Sequence, residues 1–551
     1  MSEMQTTSTL LSWMTFTPLI GVAAIGLVLV IKPLLRLSKD AVDNASRFIA
    51  VAATLPTLGM AYVLWRGFDP ANTSMQFVHH FVWIKAFNIE YFLGVDGLSI
   101  TLVILTALVS SVAVIASLPW GIEKGDEHGH GGEGAHPIHF SRRQVPGYMA
   151  LLLLLETGMF GVFTALDFFL FYVFWELVLL PMYFLIGIWG GPRREYAAIK
   201  FFLYTLAGSV FMLLGMIALY FASGKTTLVD GTPVEHTFNI VKMMAQSATF
   251  ENASWTIIGL PAAKAIWVGM FVAFAIKVPM FPFHTWLPDA HVEAPTPISV
   301  ILAGILLKMG TYGMLRVNMG ILPESTIWAQ WAVAAFGAIN IVYAAFVCMA
   351  QKDMKKLIAY SSVSHMGFVL LGMAAFTPQA ITGAVYQMWT HGIVSPALFL
   401  IAGVIYDRAH HREIEGFGGL AKQMPEYTAI TGIAFMASLG LPGLIGFISE
   451  ALVFLGSFPT FKVFTIISAS AVVITAAYYL WTMQRMFLGK LNEKYAHLHD
   501  LNWRERLTLY PLVALIIVLG FFPMPVLDLI NPYLHEMVRP FMKATQQIAG
   551  L

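Results

Sequence analysis

Residues 272–286, VAFAIKVPMFPFHTW, form an apolar stretch that contains a lysine, Lys277, shortly before two closely spaced prolines. A second lysine, Lys308, lies in the apolar stretch ILAGILLKMGTYG, and two glutamates, Glu176 and Glu450, have similarly apolar neighbours. A charge near the centre of a lipid bilayer costs about 3 kcal/mol or more, so it rarely persists without a partner, water or a function. These four residues therefore indicate a membrane protein with a route for protons or other ions.

The composition is that of a polytopic membrane protein. Of the 551 residues, 58% are hydrophobic and 11% are charged, and the mean hydropathy is +0.72, whereas soluble domains have about 25% charged residues. The net charge of +1 comes without any basic tract that could bind nucleic acid. The N-terminal segment has no basic region and no cleavage signal, so we expect the first apolar helix to be retained.

The sequence offers no means of holding a redox cofactor. Cys348 is the only cysteine, which excludes an internal disulfide and a cysteine-held iron–sulfur cluster. No glycine-rich phosphate loop follows a predicted strand, so neither a nucleotide nor a flavin is expected to bind. We therefore expect no cofactor in this chain.

Two stretches contain side chains that could be interpreted as metal ligands. The glycine-rich stretch 121–140 contains four histidines: His128, His130, His136 and His139. Their spacing matches no fixed ligand pattern, so a solvated loop is the preferred interpretation. The stretch 284–297, HTWLPDAHVEAPTP, contains four further candidates: His284, Asp289, His291 and Glu293. Here a polar hinge after a broken helix is the commoner explanation, and no metal is expected.

The lengths of the apolar segments predict the fold class. A helix that crosses a bilayer needs about 20 mainly apolar residues. Fourteen segments meet that length: 10–31, 46–65, 96–118, 146–165, 167–190, 197–222, 261–288, 296–316, 325–350, 355–375, 379–405, 427–457, 461–487 and 507–530. The sequence thus predicts an all-α polytopic membrane protein with about 14 transmembrane helices.

The distribution of lysine and arginine predicts how these helices are oriented. If the N-terminus faces outwards, most of these residues fall in inner loops, as do Arg142, Arg193 and Lys352. With an odd number of crossings, the loops rich in lysine and arginine would no longer fall on one side of the membrane. With fourteen crossings, both termini are expected on the positive, periplasm-like side.

The chain also contains an internal repeat. When Pro181 is aligned with Pro396, Glu176 falls on His391, and each ionisable residue lies five positions before a proline within a spanning helix. The proline-interrupted segments around Pro279 and Pro442 can then be matched as well. Interrupted helices at corresponding positions of two halves are typical of a transporter's ion site. We expect two repeats of five helices each, which an odd helix number places in inverted orientation.

The repeats divide the chain into five expected parts: an N-terminal three-helix segment (1–145), a first repeat (146–316), a connecting helix (317–354), a second repeat (355–487) and a C-terminal helix with its tail (488–551). In the first repeat, Glu176 and Lys277 are natural partners. Burial favours the neutral form of either side chain, and a nearby opposite charge favours the charged form. A Glu–Lys pair whose separation changes can therefore take up and release a proton; a purely structural ion pair is the alternative.

The remaining candidates extend this pair into a row whose expected order is Glu176, Lys277, Lys308, His365, His391 and Glu450. Lys308 lies near the middle of the next helix and could pass a proton sideways. His365 and His391 suit a relay because histidine titrates near neutral pH and can both accept and donate a proton. Glu450 follows the second interruption, and Glu156 is a weaker candidate for a second partner on the same axis.

Several motifs resemble a known family. These are FHTWLPDAHVEAPTPISVILAGILLKMGTYGMLR (283–316), KKLIAYSSVSHMGFV (355–369), GLPGLIGFISE (440–450), GVDGLS (94–99) and WELVLLPMYFLIGIWGG (175–191). Together they resemble the antiporter-like subunits of the bacterial proton-pumping NADH:quinone oxidoreductase, respiratory complex I, over nearly the whole chain. Among these antiporter-like subunits, one type has a glutamate at a position where its sister chains have a lysine. The resemblance aligns Glu450 with that position. The resemblance also implies 14 helices, inverted five-helix repeats and a Glu176–Lys277 pair.

The resemblance implies a role within a larger assembly. Flavin, iron–sulfur clusters and quinone are expected in partner subunits, and the other complex I subunits, including sister antiporter-like chains, are expected neighbours together with membrane lipids. The location implied is the bacterial inner membrane. The expected function is translocation of a proton from the inner to the outer face, driven by NADH oxidation elsewhere. A subunit of a multisubunit Na⁺/H⁺ antiporter or of a membrane-bound hydrogenase is the alternative; a passive scaffold is disfavoured by the buried charges.

Overall fold

The computed structural model describes residues 8–119 and 144–549, and most of these are helical. The all-α polytopic fold predicted from the sequence is confirmed. The four histidines of the stretch 121–140 lie outside the described residues.

The helices alternate with short connections along the chain. In order they are α1 (Leu10–Ile31), α2 (Lys39–Gly67), α3 (Ile100–Ala116), α4 (Val145–Thr164), α5 (Phe168–Trp189), α6 (Arg194–Ala222), α7 (Ile240–Ala245), α8 (Ser247–Glu251), α9 (Ala262–Lys277), α10 (Trp286–Glu293), α11 (Thr296–Ile301), α12 (Leu307–Gly313), α13 (Pro323–Met349), α14 (Met354–Ala374), α15 (Pro378–Ala409), α16 (Leu420–Gln423), α17 (Pro425–Ser438), α18 (Ile445–Ser457), α19 (Lys462–Met486), α20 (Trp503–Phe521) and α21 (Met524–Ala549). The π-helical stretch Leu302–Leu306 joins α11 to α12, and the π-helical stretch Met314–Met319 continues α12, so that Thr296–Met319 forms one span.

Within the described parts of the chain, three antiparallel hairpins, which the sequence analysis did not predict, connect some of these helices. They pair β1 (Gln76–Ile84) with β2 (Ile89–Val95), β3 (Thr226–Thr227) with β4 (Pro233–Val234), and β5 (Thr256–Ile257) with β6 (Leu260–Pro261). In the longest, Phe81 lies opposite Tyr91. All three hairpins lie at the same end of the helix bundle, which we call the hairpin face. The opposite end, the basic face, contains the connections 32–38, 190–193, 350–353, 410–424 and 487–502.

The number of membrane crossings depends on how broken helices are counted. Among the described residues, ten helices are individually long and apolar enough to span a bilayer. An eleventh is counted when α20 and α21, which are joined by a sharp bend, are taken as one span. The shorter α3 and the broken pairs α9–α10 and α17–α18 are three further elements that can be counted as crossings. Counted together these elements give fourteen crossings, each of which overlaps one of the predicted segments.

The boundary expected for the second repeat does not fit the helix order. Residues 145–319 contain five crossings, of which the broken pair α9–α10 is the fourth. Residues 354–486 contain only four, so a second repeat that starts near 355 is one helix short. It reaches five only when α13 is its first helix, and α17–α18 is then also the fourth. In this order α14 corresponds to α5, the helix that carries Glu176. The ionisable residue on α14 is His365, whereas His391 lies on α15.

The first broken helix is held together by side chains that replace the lost backbone bonds. Proline lacks a backbone donor, so Pro279 and Pro282 interrupt the helical hydrogen bonds after α9. The indole Nε1 of Trp286 donates to the Ile276 carbonyl oxygen at 2.9 Å, and the amide of Phe281 donates to Oδ1 of Asn340 at 2.8 Å. Irregular backbone at membrane depth is tolerated only when protein or water satisfies it in this way.

The second broken helix is interrupted at two glycines. Between α17 and α18, Gly440 and Gly443 have φ angles of +78° and +92°, which a residue with a Cβ rarely adopts. The carbonyl oxygen of Ser438, the last residue of α17, accepts a hydrogen bond from Nε2 of His365 at 3.0 Å. A histidine of α14 is thus tied to the end of the broken helix.

The last predicted span, 507–530, is not one straight helix. The structure ends α20 at Phe521 and bends the chain by 66° into α21. Pro523 removes a backbone donor at the bend. Close packing fixes the position of the end of α20, because a Cβ on Gly520 would lie 2.4 Å from the carbonyl oxygen of Gly443.

A buried ion pair connects α21 to two distant parts of the chain. The Arg316 guanidinium lies 2.7 Å from Oδ2 and donates to Oδ1 of Asp96 at 2.8 Å, and it also donates to the hydroxyl oxygens of Tyr533 and Tyr312. Asp96 precedes α3, Arg316 lies in the second π-helical stretch, and Tyr533 lies in α21. Both charged side chains are fully buried, so their mutual pairing is what makes them tolerable there.

We expect Asp96→Asn to destabilise the fold strongly, because it leaves the Arg316 charge buried without an anionic partner. Removal of one partner of a buried ion pair costs about 3–5 kcal/mol. The measurement is the thermal unfolding midpoint of the purified protein in detergent. Glu235→Gln is the matched control, because Glu235 pairs with Lys225 at the exposed surface, where such a pair contributes about 0–1 kcal/mol. Equal shifts for the two variants would contradict the role of the Asp96–Arg316 pair.

Candidate functional site

Lys308 and His391 form the central contact of the site. The Lys308 ammonium lies 2.6 Å from Nδ1 of His391 and donates to the carbonyl oxygen of Ala303, also at 2.6 Å. The π-helical stretch Leu302–Leu306 packs against α15, which carries His391. Both residues are buried, and Lys308 is fully enclosed. An amine and an imidazole therefore lie within hydrogen-bond distance of each other inside the membrane domain.

His365 and Glu450 continue from this pair. The rings of His391 and His365 are 5.5 Å apart between centroids. Nε2 of His365 lies 3.0 Å from the Ser438 carbonyl oxygen and 3.8 Å from Oε1 of Glu450. The spatial order is Lys308, His391, His365, Glu450, so the expected order of the two histidines is reversed. These four side chains are called the central row below.

A small cavity follows the central row and has room for about one water molecule. Its polar lining consists of Ser361, His365, Gln387, Thr390, His391, Ser395, Ser438 and Glu450. Nε2 of His391 has no hydrogen-bond partner among the described residues. A bridging water is a normal way for such a group to be satisfied and for a proton to cross a gap that is too long for a direct bond.

Glu176 and Lys277 are neighbours but do not form a close ion pair. Lys277 is the last residue of α9, and its ammonium lies over the rings of Trp175 and Phe201, at 5.3 and 5.8 Å from the centroids. Glu176 is near enough to act electrostatically on Lys277. Among residues 8–119 and 144–549, however, no ion pair within 4.0 Å joins them, and Oε1 of Glu176 has no hydrogen-bond partner. The structure therefore shows this expected pair in a separated arrangement.

Glu156 lies apart from the central row. Its two carboxylate oxygens accept hydrogen bonds from the hydroxyl groups of Thr54 and Thr57, at 2.7 and 3.0 Å. Both threonines belong to α2, and Glu156 belongs to α4. The carboxyl group thus joins two helices through hydroxyl partners.

The candidate metal ligands of stretch 284–297 point to different partners. Nε2 of His284 lies 3.3 Å from the Tyr343 hydroxyl, Asp289 binds Lys200 at 2.7 Å, and Oε2 of Glu293 accepts from the Arg193 amide. Across residues 8–119 and 144–549, no group of three or more histidine, cysteine, aspartate or glutamate side chains is arranged to hold a metal ion.

Sequence reasoning missed several groups that surround the central row. Gln387 and Thr390 line the small cavity but were not among the predicted site residues. A detectable signal existed, because Gln387 lies four residues before His391 and so shares its helix face. Trp175, whose ring faces Lys277, is likewise adjacent to Glu176 in the sequence. The Ser438 carbonyl could not have been found, since only the broken-helix geometry exposes it.

These features define a class of protein: a polytopic helical membrane protein whose broken helices and buried ionisable side chains suit ion translocation. The chain belongs to the NADH:quinone oxidoreductase/Mrp antiporter family, whose transmembrane-region model matches residues 165–476. NADH-quinone oxidoreductase subunit M of Rhodobacter capsulatus is 42% identical over 539 residues, covering 97% of each chain. The match is to the subunit type that Glu450 indicated, so the expected family and type are confirmed.

Solved structures agree with this assignment. A chain of respiratory complex I from Thermus thermophilus with bound NADH matches 96% of this chain and 99% of its own length, with a TM-score of 0.78 and 27% identity. A chain of the Mrp complex from Dietzia sp. DQ12-45-1b shares the fold, with a TM-score of 0.73 and 20% identity over 97% of this chain and 98% of its own.

The Lys308–His391 contact makes a prediction about stability. Lys308→Leu or His391→Phe alone leaves a buried polar partner unsatisfied, which costs about 1–3 kcal/mol. The double variant removes both partners, so we expect it to be less destabilised than the two single effects added together. Chemical denaturation of the four proteins in detergent gives the coupling free energy. Strict additivity would show that the contact contributes nothing.

Proposed function

We propose that the chain is a proton-translocating membrane subunit of an NADH–quinone oxidoreductase. The observation that carries the proposal is the central row, in which four titratable side chains follow one another between a π-helical span and a broken helix. The relatedness to M subunits supports the enzyme to which it belongs. Oxidation of NADH and reduction of quinone take place in other subunits and drive the proton movement.

The geometry suggests how a proton passes along the row. Transfer from the Lys308 ammonium to Nδ1 of His391 produces an imidazolium whose Nε2–H has no partner among the described residues and lies beside the small cavity. Loss of that second proton towards His365 restores a neutral ring. His365 is 3.8 Å from Glu450, so a small rotation or one water completes the transfer. Glu450 then holds the proton beside Gly440 at the break of the helix.

Glu176 and Lys277 act as the switch of the first repeat in this proposal. In the separated arrangement, the Lys277 amino group is buried against the rings of Trp175 and Phe201 and has no anionic partner within ion-pair distance. Approach of Glu176 stabilises the charged form and so takes up a proton. The position of Lys277 directly before the break allows a small movement of the hinge to change this separation.

The surroundings of the chain also belong to the proposal. The lysine and arginine bias supports an orientation in which the basic face lies on the inner side of a bacterial inner membrane and both termini lie on the periplasmic side. Flavin, iron–sulfur clusters and quinone are carried by partner subunits, and sister antiporter-like subunits and lipids cover the helix bundle. This chain needs no cofactor of its own for the steps described.

A multisubunit Na⁺/H⁺ antiporter or a membrane-bound hydrogenase is the second candidate, because a chain of an Mrp complex has the same fold. The 42% identity to an M subunit over almost the full chain favours the respiratory enzyme. Purification of the native complex separates the two. Flavin and iron–sulfur absorbance with NADH oxidation supports the respiratory enzyme, and their absence from an intact complex supports the antiporter.

We expect Lys277→Ala and Glu176→Ala to abolish proton pumping by this subunit, because each removes one half of the switch. The measurement is acidification of inverted membrane vesicles driven by NADH, normalised to the rate of NADH oxidation and to the amount of assembled complex. Lys264→Ala is a suitable control, since Lys264 lies on the same helix but over the ring of Trp328 near the hairpin face. Unchanged pumping in either switch variant would remove that residue from the mechanism.

Glu450→Gln is expected to reduce pumping severely, because glutamine keeps the shape of the side chain but cannot carry the proton. Glu156→Gln is the matched comparison: its partners are two hydroxyl groups that can also bond to an amide, so we expect a small effect. The same vesicle assay compares the two. A normal rate for Glu450→Gln would make that residue structural.

A further inference from the structure

Lys277 has two aromatic rings where a buried cation usually has a carboxylate. Its ammonium lies over the rings of Trp175 and Phe201, at 5.3 and 5.8 Å from the centroids. We call these two rings the aromatic seat. A cation within about 6 Å of a ring is attracted by the negative face of the ring, most strongly when the ring is tryptophan and water is excluded. All three side chains are buried, so water does not weaken the attraction here.

The Trp175 ring is held in place by neighbours on three helices. Its indole Nε1 donates to the hydroxyl oxygen of Ser209 on α6, at 3.2 Å. The ring of Phe274 on α9 meets it edge to face at 5.6 Å between centroids, and Phe171, one turn earlier on α5, packs against it at 5.7 Å. A buried indole N–H normally has a hydrogen-bond partner, and here that bond and the two ring contacts fix its orientation. The ring face beside Lys277 is therefore preformed.

The second ring of the seat is connected to the break of the helix. Phe201 lies on α6 and packs against Trp286 of α10, at 5.4 Å between centroids. The indole Nε1 of Trp286 donates to the carbonyl oxygen of Ile276, the residue directly before Lys277. Phe201 thus contacts the side chain that bridges the break. A movement of α10 relative to α9 acts on the seat and on the backbone of Lys277 together.

Trp175 and Glu176 offer the lysine alternative partners on one helix. Consecutive residues of an α-helix point about 100° apart around its axis, so the ring and the carboxylate leave α5 in different directions. The ammonium is carried on a flexible stem of four carbons. In the structure it lies at the ring of Trp175 rather than at the carboxylate of Glu176. A small movement of the stem or of the hinge moves the charge from one partner to the other.

The separated arrangement needs a neutral partner of this kind. A charge at membrane depth is costly without a partner, and within the described part of the chain Lys277 has no carboxylate at ion-pair distance. The rings stabilise an ammonium but carry no charge, so they are left with nothing unpaired when the lysine returns to Glu176. A second carboxylate would be left as a buried, unpaired charge at that moment. An aromatic seat therefore suits an ion pair that opens and closes.

We propose that Trp175 is a positioning residue of the proton switch, which together with Phe201 holds the Lys277 ammonium while Glu176 is separated from it. The inference rests on the proposed function and adds the group that makes the separated arrangement accessible. The ammonium changes partners in this step and no proton moves; the proton leaves Lys277 afterwards. A weaker ring face should therefore disfavour the separated arrangement and slow pumping, even when the size of the ring is kept.

The first test changes the charge distribution of the ring and not its packing. Tryptophans with increasing numbers of fluorine atoms are introduced at position 175 of the whole complex by nonsense suppression. Each fluorine withdraws electrons from the ring face and so weakens its attraction for a cation. NADH-driven acidification of inverted vesicles, normalised to NADH oxidation and to assembled complex, should fall stepwise along the series and several-fold at its end. Equal pumping along the whole series would overturn the role of Trp175.

The same fluorinated series at Trp331 is the matched control. This ring is exposed and meets Phe461 edge to face at 4.9 Å. We expect no trend in pumping at this position. A stepwise loss at Trp331 equal to that at Trp175 would show that fluorination acts through assembly or packing, and would contradict the proposal.

The second test uses ordinary substitutions. Trp175→Phe keeps a weaker ring face and Trp175→Leu removes it, so we expect a modest loss of pumping for phenylalanine and a several-fold loss for leucine. Normal pumping by assembled Trp175→Leu would contradict the proposal; if that variant does not assemble, the fluorinated series decides. Lys277→Ala separates this inference from the proposed function. If Lys277→Ala pumps normally, the proposed function fails; if only Lys277→Ala is impaired, the aromatic seat alone fails.

Discussion

The structure depends on one constraint: every backbone carbonyl and amide at membrane depth needs a hydrogen-bond partner inside the protein. The proline and glycine interruptions break that rule locally, and nearby side chains restore it. Trp286 satisfies the Ile276 carbonyl, His365 satisfies that of Ser438, and Lys308 satisfies that of Ala303 in the π-helical stretch. The unusual backbone of this chain is therefore stable only because particular polar side chains lie beside it.

Two of those side chains also belong to the central row, so proton transfer and backbone conformation are physically linked. When the ring of His365 turns from the Ser438 carbonyl towards Glu450, it leaves the end of α17 with an unsatisfied acceptor, which costs about 1–3 kcal/mol. When Lys308 changes its charge, the hydrogen bond to Ala303 weakens or strengthens accordingly. A conformational change imposed from outside the chain can act on the row through the same contacts.

The sequence predicted the spans well because apolar length and prolines report directly on crossing and interruption. It also placed Lys308 and His391 within one site.

The sequence could not give the order of the two histidines, because the relative positions of α14 and α15 depend on packing. Local spacing and helix order align the repeats differently: a proline five residues after an ionisable group occurs in both α5 and α15, whereas helix order pairs α5 with α14. The bend after Phe521 was missed since the apolar run continues through it. The approach of the Phe201 ring to Lys277 is visible only in three dimensions.

The buried Arg316 has a consequence for how the chain is made. Its partners lie 220 residues before it and 217 residues after it, in Asp96 and Tyr533. During synthesis Asp96 is already present when Arg316 enters the membrane, so the charge can be neutralised at once. The hydroxyl group of Tyr533, however, arrives only with the last helix. Until then the arginine lacks one of its hydrogen bonds, and the insertion intermediate remains less stable than the finished fold. The hydrogen bonding of this buried charge is therefore complete only once α21 has packed against α3.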